Sequence, residues 1–155
     1  MIRKYTTQDY EFVLNSLVSL QKDIKMDAPL TCGKSIRSKR ASCAKFLKSL
    51  IVPNKKCYII EDDEKKFGFV CFKPIQPDTC FLEFFLKAPD VNMSPSYVKL
   101  FRDHIRDVKI QHGYKKMFAT IGNRKDYNRW LQLSKKFLNP KSVTLQEKNY
   151  HLLEF

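Results

Sequence analysis

The chain has 155 residues, 43% of them apolar and 13% aromatic, enough to build one buried core without disulfide or metal staples. Charged residues at 29% and twelve Phe exclude a largely disordered chain. Lysine and arginine outnumber the acids 29 to 16, a net charge of +13, which predicts attraction to nucleic acid, an anionic membrane or an acidic protein surface.

Ile2 to Tyr5 reads as a first strand. Thr6 or Thr7 offers an N-cap, Asp9 and Glu11 sit in the first helical turn, and Phe12, Val13, Leu17, Leu20 and Ile24 have helical spacing to about Lys25. After a connector with Pro29, a basic amphipathic helix covers about Ser35 to Leu50, with Ile36, Cys43, Phe46, Leu47 and Leu50 toward the core. Cys57–Glu61, Phe67–Lys73 and Thr79–Lys87 then read as three strands, with turns at Asp62–Lys66 and Pro74–Asp78, an antiparallel meander. A helix from Ser96 to about His112 places Val98, Phe101, Ile105 and Val108 on one face. Met117–Ile121 is a strand, Lys125–Leu138 a helix stopped by Pro140, and Ser142–Phe155 a final strand or hairpin.

Several residue patterns bear on chemistry. Only four Gly occur, whereas phosphate-cradling loops rely on glycine for close backbone approach. Ala28-Pro29-Leu30-Thr31-Cys32-Gly33-Lys34-Ser35 fits a permissive nucleotide-loop pattern, but that mechanism needs a strand before the loop, and here a charged helix end precedes it. The five cysteines have no CxxC spacing, and His104, His112 and His151 have no metal-binding or triad spacing, so no metal is expected. His104 reads as an exposed or partly packed side chain. The first residues lack a secretory apolar region and no run is long enough to span a bilayer, which predicts a cytoplasmic, reduced setting. Lys34, Arg37, Lys39, Arg40, Lys45 and Lys48 form the densest basic stretch, a solvated helix face or a phosphate-contacting one.

The element order β-α-α-β-β-β-α-β-α-β resembles the GNAT acetyltransferases over nearly the whole chain. Two local features sharpen the resemblance: Ile2-Arg3 followed by Thr7 and Asp9, and Phe84-Phe85-Leu86-Lys87-Ala88-Pro89 with Leu100 eleven residues beyond the proline. It implies a single α/β (α+β) domain over residues 1–155, a mixed, mostly antiparallel sheet flanked by helices. It also implies a splay between the fourth and fifth strands that admits acetyl-CoA. The family loop after the proline, Arg/Gln-x-x-Gly-x-Gly/Ala, presents backbone N–H groups to the cofactor pyrophosphate. Here it reads Asn92-Met93-Ser94-Pro95-Ser96-Tyr97, with Met93, Pro95 and Tyr97 at the small-residue positions. Proline donates no N–H, and each lost N–H to a charged group costs about 1.5–3 kcal/mol. No cofactor is therefore expected, and acetyl-CoA only if the protein is active; Ser94 or Ser96 could still cap the helix and hold a phosphate.

The family's catalytic positions are equally altered. Asn123 supplies the asparagine after the fifth strand, but the tyrosine that protonates the leaving thiolate falls on Trp130. Tyr127 nearby is a packing residue or that acid, and Glu83 is an exposed strand residue or a general base. Three functions stay open. One is a non-catalytic GNAT-like binding or structural component. The compact size, composition and missing glycines resemble small bacteriophage GNAT-like proteins, some of them internal virion proteins, which implies a virion assembly partner. The others are an active N-acyltransferase with an atypical loop, and a nonspecific nucleic-acid-binding accessory protein using Lys34–Lys48.

Overall fold

The structure is a computed structural model and describes residues 1–23, 36–62, 65–91, 94–122, 127–147 and 150–155. The chain forms β1 (Ile2–Lys4), a 3-10 turn (Thr7–Asp9) running into α1 (Tyr10–Asp23), α2 (Ile36–Leu50), β2 (Lys56–Glu61), β3 (Lys66–Gln76) and β4 (Thr79–Lys87). It continues through α3 (Pro95–Gln111), β5 (Lys116–Gly122), α4 (Tyr127–Leu133), a π-helical turn (Ser134–Leu138), β6 (Ser142–Glu147) and β7 (Tyr150–Glu154). Hydrogen bonding orders the strands β1-β2-β3-β4-β5-β7-β6. The β1–β2, β2–β3, β5–β7 and β6–β7 pairs are antiparallel, while β4 and β5 run parallel. The expected mixed, mostly antiparallel sheet with helices is therefore present.

The residues group into two compact units, Met1–Phe72 with Phe84–Val91, and Lys73–Glu83 with Asn92–Phe155. In the first, the helical spacing of Val13, Leu14 and Leu17 and of Cys43, Leu47 and Leu50 gives α1 and α2 one apolar stripe each. Those stripes pack with Ile59, Phe69, Cys71 and Leu86 from the strands, and Phe46 meets Phe84 edge-on at 5.2 Å. Each fully buried Leu, Ile or Phe contributes about 1.5–3 kcal/mol. Cys57 and Cys71 point their thiols at the Leu50 carbonyl, so both behave as small core residues.

Thr6 caps the start of the first helix, and Asp9 does more than complement the helix dipole. Its carboxylate is fully buried. It accepts from the Thr6 N–H at 2.8 Å and hydroxyl at 3.0 Å, from both Arg3 guanidinium nitrogens at 2.8 and 2.9 Å, and from Lys66 Nζ at 2.7 Å. Arg3 also grips Glu61 at 2.6 and 3.0 Å. One carboxylate thus ties β1, the head of α1 and the start of β3.

In the second unit, α3 buries Val98, Phe101, Ile105 and Val108 as its spacing predicts, and also Tyr97 and His104. The helix ends at Gly113, whose φ of 67° lies in the left-handed region that glycine adopts without strain. A small apolar cluster joins Leu131 of α4 and Leu153 of β7 with Val143 and Phe155.

Two boundaries differ from expectation. β3 runs through Pro74 to Gln76 instead of turning there, and only Pro77-Asp78 form the turn. The last β2–β3 pair is Lys56↔Phe72, so the strand flank at Pro74 has no β2 ladder bond to lose. Among the described residues, the helix read as Lys125–Leu138 is α-helical from Tyr127 to Leu133, then widens into the π turn and ends at Asn139 with φ 49° before Pro140.

Candidate functional site

β4 pairs with β5 from Thr79↔Lys116 to Leu82↔Ala119, and among the described residues the ladder stops there although both strands continue. Past β4, the segment 88–91 is held by several bonds. Ala88 N–H donates to the Phe67 carbonyl at 2.7 Å, and Lys87 Nζ donates to the Ala88 carbonyl at 3.1 Å and to the Val91 carbonyl. Lys65 pairs with Asp90 and holds its carboxyl below the usual carboxylate range. That loop therefore carries an ionised acid.

Asn92 and Met93 lie outside the described residues. Ser94 is the N-cap of α3, with an extended backbone, and its hydroxyl accepts the Tyr97 N–H at 3.2 Å. Pro95 stands at the first helical position, where its fixed φ suits the helix and its missing N–H costs the helix nothing. Val98 N–H donates to the Ser94 carbonyl at 3.1 Å. Of the first three helical positions, Pro95 has no N–H and the Tyr97 N–H is taken, which leaves that of Ser96 for a ligand. Tyr97 is turned inward, and burial pushes its phenol well above the ordinary value.

The other expected residues are placed as follows. Glu83 lies on β4 and is half-buried instead of exposed. Tyr127 opens α4, while its side chain, that of Trp130, and Asn123 fall outside the description. His104 is buried, not exposed or partly packed, and burial lowers its pKa to about 4 against a smaller opposing pull from Asp107.

Lys34 and the nucleotide-loop pattern lie outside the described residues; among the described residues, the element that comes before them in the chain is helix α1. Arg37 belongs to α2, with its side chain outside the description. Lys39 is half-buried, and Lys45 and Lys48 are exposed. Arg40 is committed elsewhere: it donates to Glu11 Oε2 at 2.7 Å and to Asn15 Oδ1 at 2.7 Å, joining α2 to α1. Of the described residues of this basic stretch, Lys45 and Lys48 present exposed side chains and Arg40 is paired.

A cavity of about 520 Å³ in the first unit is lined by Phe12, Asn15 and Ser16 of α1, by Lys65 and Lys66, and by Ala88–Asp90. Both lysines are engaged, Lys65 by Asp90 and Lys66 by Asp9, so the charged part of the lining is already neutralised. Sequence reasoning did not foresee it. The signal was faint, two adjacent lysines and an aspartate 25 positions apart. Among the described residues no group of His, Cys, Asp and Glu is placed to hold a metal ion, and no helix is long and apolar enough to cross a membrane.

No protein-family model matches the chain, and no curated protein matches it in sequence. Solved structures do match. The Campylobacter jejuni N-acetyltransferase PseH superposes with a TM-score of 0.65 at 14% identity, over 100% of this chain and 96% of that one. An acetyltransferase of the GNAT family from Desulfovibrio desulfuricans gives 0.63 at 14% identity, over 99% and 95%. The fold is that of the GNAT N-acetyltransferases. A variant of the Vibrio cholerae spermidine N-acetyltransferase SpeG gives a TM-score of 0.68 at 11% identity, over 100% and 92%. PseH has also been solved in complex with acetyl coenzyme A.

For this GNAT-fold chain, the start of α3 tests the fit of that cofactor. A diphosphate is held at a helix N-terminus by consecutive N–H groups. Here one position is proline and the next donor but one is taken by the Ser94 hydroxyl. Among the described residues, the first turn of α3 does not present the run of consecutive free N–H groups that the family's diphosphate grip uses.

Proposed function

We propose that this chain is a GNAT-fold protein that acts by binding, through its cationic surface, and not by acetyl transfer. The observation that carries the reading is the first turn of α3, where Pro95 and the Ser94 cap together withdraw two of the amides a pyrophosphate needs. Each missing charge-assisted bond costs about 1.5–3 kcal/mol, and two of them weaken a micromolar affinity to about the millimolar range. The net charge of +13 directs such a protein to an anionic partner, nucleic acid or an acidic protein surface. A structural place in a phage particle is one form of the same reading; native mass spectrometry of the protein from its source tests it by revealing a stable partner. Calorimetry with acetyl-CoA and a longer acyl-CoA tests the core of the reading. We expect no binding tighter than about 1 mM, and sub-millimolar binding of either overturns it.

A second reading, an N-acyltransferase with an atypical loop, is favoured by one observation: α3 is properly capped, with the Ser96 amide and an exposed Ser96 at its mouth. Under it Glu83 takes a proton from the acceptor amine and Tyr127 returns one to the leaving thiolate. Glu83→Gln and Tyr127→Phe then each lower turnover at least about a hundredfold, the usual weight of a general acid or base. Activity that is absent, or untouched by both changes, rejects this reading.

A further inference from the structure

We propose that the exposed cationic stripe of α3, continued by Lys141, is a docking face for the sugar-phosphate backbone of nucleic acid. This deepens the binding reading above and rests on it.

Lys99, Arg102, Arg106 and Lys109 recur at intervals of three, four and three residues. On a helix of 3.6 residues per turn they fall within an arc of about 80° and extend about 15 Å along the axis. The buried Val98, Phe101, Ile105 and Val108 centre about 100° around the helix from the stripe, which leaves Lys99 and Arg106 exposed and Arg102 and Lys109 half-buried along its inner edge. The two acids of this surface, Asp103 and Asp107, fall together on the neighbouring strip, which leaves the cations segregated on one flank. Arg102 donates to Asp103 at 2.9 Å across that border. Lys99 and Arg106 are exposed and meet no carboxylate among the described residues.

The stripe does not end with the helix. Lys109 Nζ donates to the Phe155 oxygen at 2.8 Å, and the Lys141 N–H donates to the neighbouring Glu154 carbonyl at 2.7 Å. The two lysines meet at the end of β7. Burial first, and the close Lys141 cation second, hold the Lys109 ammonium below its ordinary range, with Glu154 only partly offsetting them. Two like charges held together gain from an anion that bridges them.

The chemistry of the stripe selects the partner. Protein interfaces build on an apolar centre from which lysine is depleted. This face offers four cations and Ile110 as its one large exposed apolar side chain. A phosphate backbone needs only spaced cations, with arginine forks as its strongest contacts. Nothing in the stripe is arranged to read base edges, so binding is sequence-independent.

The test is fluorescence anisotropy of the full chain with a labelled mixed-sequence duplex of about 20 bp, between 50 and 200 mM salt. Five phosphate contacts predict a slope of log K against log salt of about −4. The double variant Lys99→Glu/Arg106→Glu weakens binding at least about tenfold and flattens the slope by about two. The α2 variant Lys45→Glu/Lys48→Glu changes affinity less than about twofold, and Lys99→Gln/Arg106→Gln, with unchanged thermal melting, gives an intermediate loss. The proposal is overturned by absent binding at 50 mM salt or by an α3 variant that binds like the parent. It is overturned equally by poly-glutamate competing as well as DNA of equal charge, the sign of an acidic protein partner. Acetyl-CoA calorimetry has a separate readout, so failure of the underlying reading is seen independently of the DNA titration.

Discussion

At Asp9 a carboxylate with no solvent exposure meets Arg3 and Lys66. Breaking a buried pair strands the remaining charges, so Asp9→Asn destabilises by about 3–5 kcal/mol, measured by urea unfolding at neutral pH. The two cations, Arg3 first, set the folded pKa of Asp9 below its unfolded value. Its contribution is therefore complete above the unfolded value near 4 and drains away as pH falls below it, and Asp9→Asn shows a flatter acid limb. His104 has the same sign for a different reason. Its folded pKa of about 4 lies below the ordinary 6.5 because burial disfavours the imidazolium, so stability is lost between about pH 6.5 and 4. His104→Leu removes that loss; an unchanged profile between those limits refutes the assignment. The sequence made the apolar core face of α3 legible, because Val98, Phe101, Ile105 and Val108 carry the helical period. It hid His104 and Tyr97, which share that face, since a polar tip on a residue gives no sign of which way the helix has rolled.

Elements are decided at their ends. Ser94 satisfies the Tyr97 amide, so Ser94→Ala costs about 1 kcal/mol in thermal or urea unfolding. At the other end of α3 a Cβ on Gly113 meets nothing within 4 Å, yet its φ of 67° penalises any side chain. Gly113→Ala therefore costs about 1–2 kcal/mol through backbone conformation alone, and Gly113→Asn less. A neutral Gly113→Ala contradicts this. Most elements could be read from apolar period and turn residues. Pro74 misled because its usual role is to break a strand, and whether a strand flank is already open at that point depends on where its neighbour ends. The partners of Arg40 were not legible either: composition counts its charge, but only the arrival of α1 shows that it pairs with Glu11 and Asn15.

For the whole molecule, the order of elements carried the fold as far as a mixed, mostly antiparallel sheet with helices; that β4 and β5 are the parallel pair came from the structure. That Pro95 brings no N–H to the start of α3 was legible too, since it needs no coordinates to be known. The α3 stripe was not seen in the sequence because its cations are spaced three and four apart and look sparse when read in line. A charge of +13 repels itself, so the melting temperature rises between 10 and 200 mM NaCl as the field is screened. A fall over that range contradicts the account. The same repulsion has a further effect at β6, the outermost strand, where Thr144, Leu145 and Gln146 are exposed. Between its ends this strand holds neither proline nor lysine, the residues that commonly blunt such a margin. Like charge is then the barrier to one copy pairing with the next, and we expect light scattering to rise when a polyanion neutralises it.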